Sequence, residues 1–214
     1  LGKSNRIKYI CCHHEQAVAM ATESYARMKK TLGVSLVTTG PGGTNAITGI
    51  AGAWMDSVPT LTISGQVFLE QTIKDTNLRQ LGIQEINIVD IVKPITKYAV
   101  MVERPEDVIY EIQKAIYIAN DGRPGPTWVD IPANIQNSSI KSSDYKVFQY
   151  NESNNASQKV ISDHIINDVK RAIKKAKRPL IYIGRGLQIA KAEEDLLNFV
   201  QKIGIPFVTS WNAS

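Results

Sequence analysis

An acidic side chain, a glycine-rich segment and two amides mark places in the sequence where chemistry could occur. Glu15 stands at the start of a segment whose apolar residues recur at helical spacing. A carboxyl group in such a position can hold and return a proton, as general acid-base catalysis requires. It can equally stabilise the first turn of its own helix through the helix dipole. The position of Glu15 alone leaves both interpretations open.

The glycine-rich segment, residues 39–45, lies between a predicted strand and a predicted helix. Backbone N–H groups at such a junction can bind an anion. The segment matches neither the P-loop nor the dinucleotide-binding fingerprint, so a tight strand-to-helix turn remains an alternative. The amides of Gln66 and Gln84 can orient a bound acid or cofactor, or can be satisfied at the protein surface.

Two adjacent cysteines, Cys11 and Cys12, precede His13 and His14. Neighbouring residues of a strand point to opposite faces, so neither a disulfide nor joint metal binding is expected from the pair. A structural zinc site also needs a second group of ligands, and only His164 is left elsewhere in the chain. The sequence therefore predicts no metal site.

A repeated strand, loop and helix pattern positions these residues. Strands are predicted over residues 6–12, 34–39, 60–64 and 126–131, and helices begin at Glu15, near Ala46 and at Pro105. A long polar loop, residues 66–85, precedes a short helix within 86–96. The alternation predicts an α/β fold with an open parallel sheet and helices on its faces. In such sheets ligands bind beyond the carboxyl ends of the strands, where segments 14–16, 39–45 and 65–66 are expected.

The composition is that of a globular protein and excludes disordered and collagen-like chains, with 43% hydrophobic and 21% charged residues among 214. The formal charge of +5 comes from dispersed residues, whereas nucleic-acid binding needs a basic face. No segment approaches the roughly 20 apolar residues of a membrane span, and the first residues do not begin a signal peptide. We therefore expect a cytoplasmic protein without nucleic-acid or membrane partners.

A serine- and asparagine-rich segment, residues 137–157, is predicted to be a linker between residues 1–136 and 158–214. In the second part, helices are predicted over 160–176 and 191–202, strands over 180–183 and 205–209, and a turn at 184–186. Its length is about half that of a typical domain.

Six segments, in order and spacing, resemble the thiamine-diphosphate-dependent enzymes of the acetolactate synthase group. They are residues 13–17, 25–27, 38–45, 55–59, 64–67 and 122–126. The resemblance extends over nearly the whole chain. It implies that residues 1–136 form a pyrimidine-binding domain for thiamine diphosphate, and that residues 158–214 form the first half of a Rossmann-like central domain.

The resemblance implies a catalytic role for Glu15. In the family this glutamate hydrogen-bonds N1′ of the aminopyrimidine and promotes the imino tautomer, which takes the proton from the thiazolium carbon. Burial beside the ring is expected to raise the carboxyl pKa, and His14 is expected to position the backbone. The remaining cofactor-binding residues implied by the resemblance are Pro41, Gly42, Asn45, Gln66 and Gln84.

A second cofactor, FAD, is implied by three further residues. In flavin-containing acetolactate synthases, the residues that match Arg123 and the turn from Gly184 to Gly186 contact FAD. Arg123 could instead pair with a carboxylate at a helix-to-strand turn. The sequence leaves both interpretations open.

Three positions differ from the acetohydroxyacid synthases: Phe68 replaces a proline, Ile83 a phenylalanine and Ala133 a lysine. The phenylalanine and the lysine belong to the substrate region of those enzymes, so a different acceptor acid is possible. The family holds the diphosphate and Mg²⁺ in a C-terminal domain with a Gly-Asp-Gly motif, which this sequence does not contain. We therefore expect an N-terminal fragment, without its first strand and helix, of a longer chain that acts as a homodimer or homotetramer.

The activity implied by the resemblance is that of a carboligase. A 2-ketoacid loses CO₂, and the hydroxyalkyl group passes to a second carbonyl, as in branched-chain amino-acid biosynthesis. The alternatives are a truncated binding or assembly module without catalysis, and a related thiamine-diphosphate decarboxylase or lyase with another substrate.

Overall fold

The computed structural model describes residues 4–74, 76–150 and 161–213. The chain divides into two compact units, Leu1–Asn151 and Glu152–Ser214, and each is described by itself. Across the described residues, no helix combines the length and the apolar character needed to cross a membrane.

The first unit is built on an open sheet of four parallel strands in the order β1-β2-β4-β3. The strands are β1 Gly33–Val37, β2 Thr60–Gln66, β3 Tyr98–Met101 and β4 Pro126–Pro132. The helices are α1 Glu15–Lys29, α2 Pro41–Met55, α3 Ile88–Val92, α4 Val108–Asn120 and α5 Ala133–Gln136. The predicted α/β class and open parallel sheet are confirmed.

Strand β4 lies at the centre of the core and is buried along its whole length, as expected of a parallel strand with both faces covered. Trp128 belongs to a cluster with residues of α1, α2 and α3 on one face. Val129 belongs to a second cluster with Ala115 of α4 on the other face. Helices α1 and α2 pack closely at Gly49. A Cβ added there would lie only 2.6 Å from that of Ala19.

Two sequence predictions of strands differ from the structure. The strand predicted over residues 6–12 is wrong, since these residues are exposed and form no strand. Alternating apolar residues such as Ile7 and Tyr9 form a strand only when another strand pairs with them, and β1 pairs with β2 alone. Strand β3 was not predicted. It is four residues long and only partly buried, so its pattern is weak.

The second unit contains a sheet of two parallel strands, β5 Ile181–Ile183 and β6 Phe207–Thr209. Its helices are α6 Asp163–Lys175, α7 Gly186–Ile189 and α8 Glu193–Ile203. The predicted turn at 184–186 leads directly into α7. Of the described residues in this unit, only Ile183 and Ile205 are buried.

Candidate active site

The carboxyl ends of β1, β2 and β4 meet at one edge of the first sheet. The ladder pairs Val37 with Ser64, and Gln66 with Pro132, so the segments that leave these strands start side by side. The glycine-rich segment follows β1 and opens α2. This edge holds most of the residues that the sequence identified.

Glu15 is the first residue of α1 and lies against α2. The ring nitrogen Nδ1 of its neighbour His14 caps the helix by accepting a hydrogen bond from the Gln16 N–H at 3.1 Å. The amide of Asn45 donates to Oε2 of Glu15, also at 3.1 Å. The hydrogen bond between Asn45 and Glu15, which are 30 residues apart in sequence, connects the N-terminal parts of α1 and α2.

The pKa of Glu15 is lowered, chiefly by the hydrogen bond from Asn45 and then by the backbone N–H of Glu15 itself. The chain's own residues leave the carboxyl only partly buried, and an upward shift of its pKa on burial beside a ring stays a prediction. Glu15 is an ionised acceptor here. It also satisfies the helix-dipole interpretation, since an acidic group stands in the first turn of α1.

Two glycines shape the turn beside this carboxylate. Gly40 has a φ of +57°, and a side chain there would collide with the carbonyl oxygen of Gln84. A Cβ on Gly42 would lie 2.6 Å from Cγ2 of Thr38 and 3.5 Å from Oε1 of Glu15. Glycine at position 42 therefore lets Thr38 pack closely against the start of α2, with bare backbone beside the carboxylate.

The glycine-rich segment is held as a tight turn by its own hydrogen bonds. The N–H of Gly42 donates to the carbonyl of Thr39 at 3.2 Å, and the N–H of Thr44 donates to the carbonyl of Gly40 at 3.0 Å. Pro41 occupies the first turn of α2, where its missing N–H costs nothing. The turn interpretation therefore accounts for this segment without an anion.

The two glutamine amides lie in different environments. Gln66 is buried and bonded within the protein: its Oε1 accepts from Thr39 Oγ1 at 2.8 Å, and its Nε2 donates to the carbonyl of Ile86 at 3.0 Å. Gln84 is exposed and has a φ of +60°, and its backbone packs against Gly40. Contact of either amide with a ligand stays a prediction.

A buried acid that sequence reasoning missed lies behind Gln66. Asp130 is 1% exposed and accepts hydrogen bonds from Ser64 Oγ at 2.5 Å and from Gln66 Nε2 at 2.9 Å. Trp128 Nε1 donates to Ser64 Oγ at 2.8 Å. Burial raises the pKa of Asp130 to about 6, opposed by the bonds from Ser64 and Gln66. An acidic residue inside an apolar strand was the available signal, because acids are almost never fully buried without partners.

The loop between β2 and α3 is closed by a second buried acid, Glu85. Its Oε1 accepts from the N–H of Ile73 at 2.5 Å, and its Oε2 accepts from the N–H of Leu81 at 2.9 Å. Two positions that differ from the family lie here, and both are exposed: Phe68 at 49% and Ile83 at 88%. This loop therefore presents apolar side chains next to the candidate site.

The residues that the resemblance implies for FAD are divided between the two units. Arg123 precedes β4, so it lies at the opposite edge of the sheet, and its Nε donates to Ser57 Oγ at 2.6 Å. Gly184 and Gly186 belong to the second unit, where a Cβ on either would meet nothing within 4 Å. Within the described part of the chain, no group of three or more His, Cys, Asp or Glu is arranged to hold a metal ion.

Two family models match the chain. Residues 1–91 match the N-terminal TPP binding domain of thiamine pyrophosphate enzymes, and residues 166–214 match the central domain of the same enzymes.

Curated relatives of the chain include acetolactate synthase large subunits. That of Buchnera aphidicola subsp. Schizaphis graminum is 37% identical over 209 residues, which are 95% of this chain and 35% of the relative. That of Haemophilus influenzae is 37% identical over 207 residues, with the same coverage. The isozyme 3 large subunit of Escherichia coli is 36% identical over 207 residues, 95% of this chain and 34% of the relative. The chain thus spans about a third of the length of these relatives.

Proposed function

The chain belongs to the thiamine pyrophosphate enzymes, and on that premise we propose that it supplies the aminopyrimidine side of an acetolactate synthase-like active site. The observation that carries the proposal is the contact between Glu15 and Asn45 at the carboxyl edge of the sheet. Gly42 presents bare backbone beside that carboxylate. A carboxylate can bind the basic nitrogen of a planar ring, and backbone without a side chain can approach such a ring closely.

In this proposal Glu15 holds or returns a proton at N1′ of the aminopyrimidine. Asn45 fixes the direction of the carboxylate by donating to Oε2. Contact with the ring removes water from the carboxylate, which raises its pKa against the effect of Asn45. Thiamine diphosphate itself supplies the thiazolium carbon that adds to a 2-ketoacid.

The remaining parts of the proposal concern groups and chains outside the described site. The substrates are a 2-ketoacid and a second carbonyl compound that accepts the hydroxyalkyl group. The diphosphate and its Mg²⁺ are held by a separate domain, in a homodimer or homotetramer of a longer chain. FAD contacts Arg123, Gly184 and Gly186. The similarity to acetolactate synthase large subunits supports these parts of the proposal.

The test uses the complete translation product of the gene that encodes this chain, with Glu15 intact and as Glu15→Gln. We expect the unsubstituted protein to bind thiamine diphosphate with Mg²⁺ and to release CO₂ from pyruvate. Glu15→Gln should lower the rate by at least about a hundredfold, because glutamine cannot carry the proton. Calorimetry measures binding, and CO₂ release measures turnover.

Glu23→Gln is the matched control, since Glu23 lies on the same helix but accepts its hydrogen bond from Arg27. We expect the Glu23→Gln protein to release CO₂ at the rate of the unsubstituted protein. Full activity of Glu15→Gln would refute the assigned role. Failure of the unsubstituted protein to bind thiamine diphosphate would refute the proposed function and favour an assembly module without catalysis. Release of CO₂ without a coupled product would favour a simple decarboxylase.

A further inference from the structure

The buried carboxylate of Asp130 lies at the centre of a chain of hydrogen bonds that reaches the candidate site. Asp130 and Ser64 are register partners on β4 and β2, so their side chains share one face of the sheet. Trp128 Nε1 donates to Ser64 Oγ, and Ser64 Oγ in turn donates to the Asp130 carboxylate. Gln66 Nε2 donates to the same carboxylate. Asp130 is therefore an acceptor in the sheet interior.

This acceptor determines which way the Gln66 amide points. Nε2 faces two acceptors, the Asp130 carboxylate and the carbonyl of Ile86, while Oε1 faces two donors, Thr39 Oγ1 and the N–H of Val67. A rotated amide would place its N–H groups against donors and its oxygen against acceptors. Because a buried polar group without a partner is costly, a single orientation is stable.

The oriented amide connects two segments that border Glu15. Thr39 is the first residue of the glycine-rich segment, and Asn45, its last, bonds to the Glu15 carboxylate from α2. The Ile86 carbonyl also accepts the N–H of Ile88 at 2.9 Å, where α3 begins. The backbone of Gln84, two residues before Ile86, packs on Gly40. The glycine-rich segment and the start of α3 are therefore both hydrogen-bonded to the Gln66 amide.

We propose that Asp130 is a positioning residue that acts through Gln66 to hold the glycine-rich turn and the start of α3 in place beside Glu15. It does not reach a ligand itself, since it is buried behind Gln66. The network orders the backbone from which Asn45 and Gln84 extend. Its consequence for thiamine diphosphate rests on the proposed function, whereas its consequence for the backbone does not.

The first test compares Asp130→Leu and Asp130→Asn in the 214-residue chain by amide hydrogen exchange. Leucine has the branched shape of the acid but no acceptor. We expect exchange in residues 40–46 and 84–88 to become about tenfold faster with leucine, as one lost hydrogen bond of about 1.4 kcal/mol would give. Asparagine can still turn its oxygen to Gln66, so Asp130→Asn should restore most of the protection.

A purely structural role for Asp130 predicts a different pattern. Replacing a buried charge by an apolar side chain is often neutral or stabilising overall, and any loss of stability would speed exchange throughout the sheet. Asp107→Leu is the control, because Asp107 is a partnered carboxyl bonded to Arg104 and Lys146 outside the network. The proposal would be overturned if exchange became faster throughout the sheet, or if it did not change in residues 40–46 and 84–88. It would also be overturned if Asp130→Asn made exchange in these residues as fast as Asp130→Leu does.

Two further measurements keep the proposal testable. If Asp130→Leu does not fold, Thr39→Val removes the hydrogen bond to Gln66 at the other end of the network. Amide exchange should then become faster in residues 40–46 but not in 84–88. Unchanged exchange in residues 40–46 would refute the connection between Gln66 and the glycine-rich segment. In the complete translation product, Asp130→Leu should weaken thiamine diphosphate binding about tenfold and Asp130→Asn by less than about threefold. Absence of binding by the unsubstituted protein contradicts the proposed function alone, because the exchange result is independent of it.

Discussion

At the scale of single residues, Asn45 favours the ionised form of Glu15. Its amide bonds to the ionised carboxylate and lowers the pKa of Glu15. A lowered pKa in the folded state stabilises the protein above the ordinary carboxyl pKa. That contribution is lost as the pH falls through the folded value. The same bond that orients the carboxylate therefore opposes its protonation.

Asn45→Ala should raise the pKa of Glu15 towards its ordinary value of 4.5, because the neutral amide donor that favours the ionised form is removed. The measurement is a pH titration of the Glu15 side-chain carbon by NMR in the 214-residue chain. Thr48→Ala serves as control, since Thr48 lies on the same helix and is exposed. An unchanged midpoint in Asn45→Ala would show that another group sets the pKa.

The residues of the site differ in how far the sequence revealed them. Glu15 and Asn45 were identified by resemblance, whereas their contact across two helices has no signature in their spacing. Asp130 was overlooked because its strand was assigned from apolar neighbours, although the acid inside that strand was visible. Its partners Ser64 and Gln66 become evident only from the register of β2 against β4, which the sequence does not specify.

At the scale of elements, strand β4 carries an ionisable group in the middle of the core. The pKa of Asp130 is raised to about 6 by burial, so the folded state binds its proton more tightly than the unfolded chain does. The stability this gives is fully present below about pH 4 and is lost as the pH rises to about 6. Above that range the ionised group costs about 3 kcal/mol.

The stability of the chain should therefore fall between pH 4 and pH 7 relative to that of Asp130→Asn, which does not titrate. Urea unfolding at several pH values measures both proteins, and their difference isolates Asp130 from the other carboxyls. The effect should be on the order of 3 kcal/mol, since the pKa of about 6 already includes the opposing hydrogen bonds from Ser64 and Gln66. Parallel stability curves would mean that Asp130 keeps an ordinary pKa.

Most elements could be predicted because their apolar residues face a core. Helices α1, α2 and α4 and strands β1, β2 and β4 follow from helical periodicity, apolar runs and Gly or Pro boundaries. The two errors concern segments whose strand structure depends on a partner strand that the apolar pattern does not reveal. Ile7 and Tyr9 alternate without a neighbouring strand, while β3 gains its structure from pairing with β4.

At the scale of the whole molecule, the two units differ sharply in burial. The first has a central strand that is buried throughout. The second has two buried residues among those described, Ile183 and Ile205. The side chain of Tyr182 on β5 is 70% exposed, and Phe207 and Val208 on β6 are 43% and 44% exposed. A parallel sheet normally has both faces covered, so this unit gains little free energy from burial.

We therefore expect the amides of β5 and β6 to exchange about a hundredfold faster than those between β3 and β4. Strand β3 is the matched reference, because it is also short, parallel and only partly buried, but its partner strand lies in a closed core. Hydrogen exchange on the 214-residue chain measures both sheets in one sample. Equal rates would contradict the expectation that low burial leaves this sheet of two strands only marginally stable.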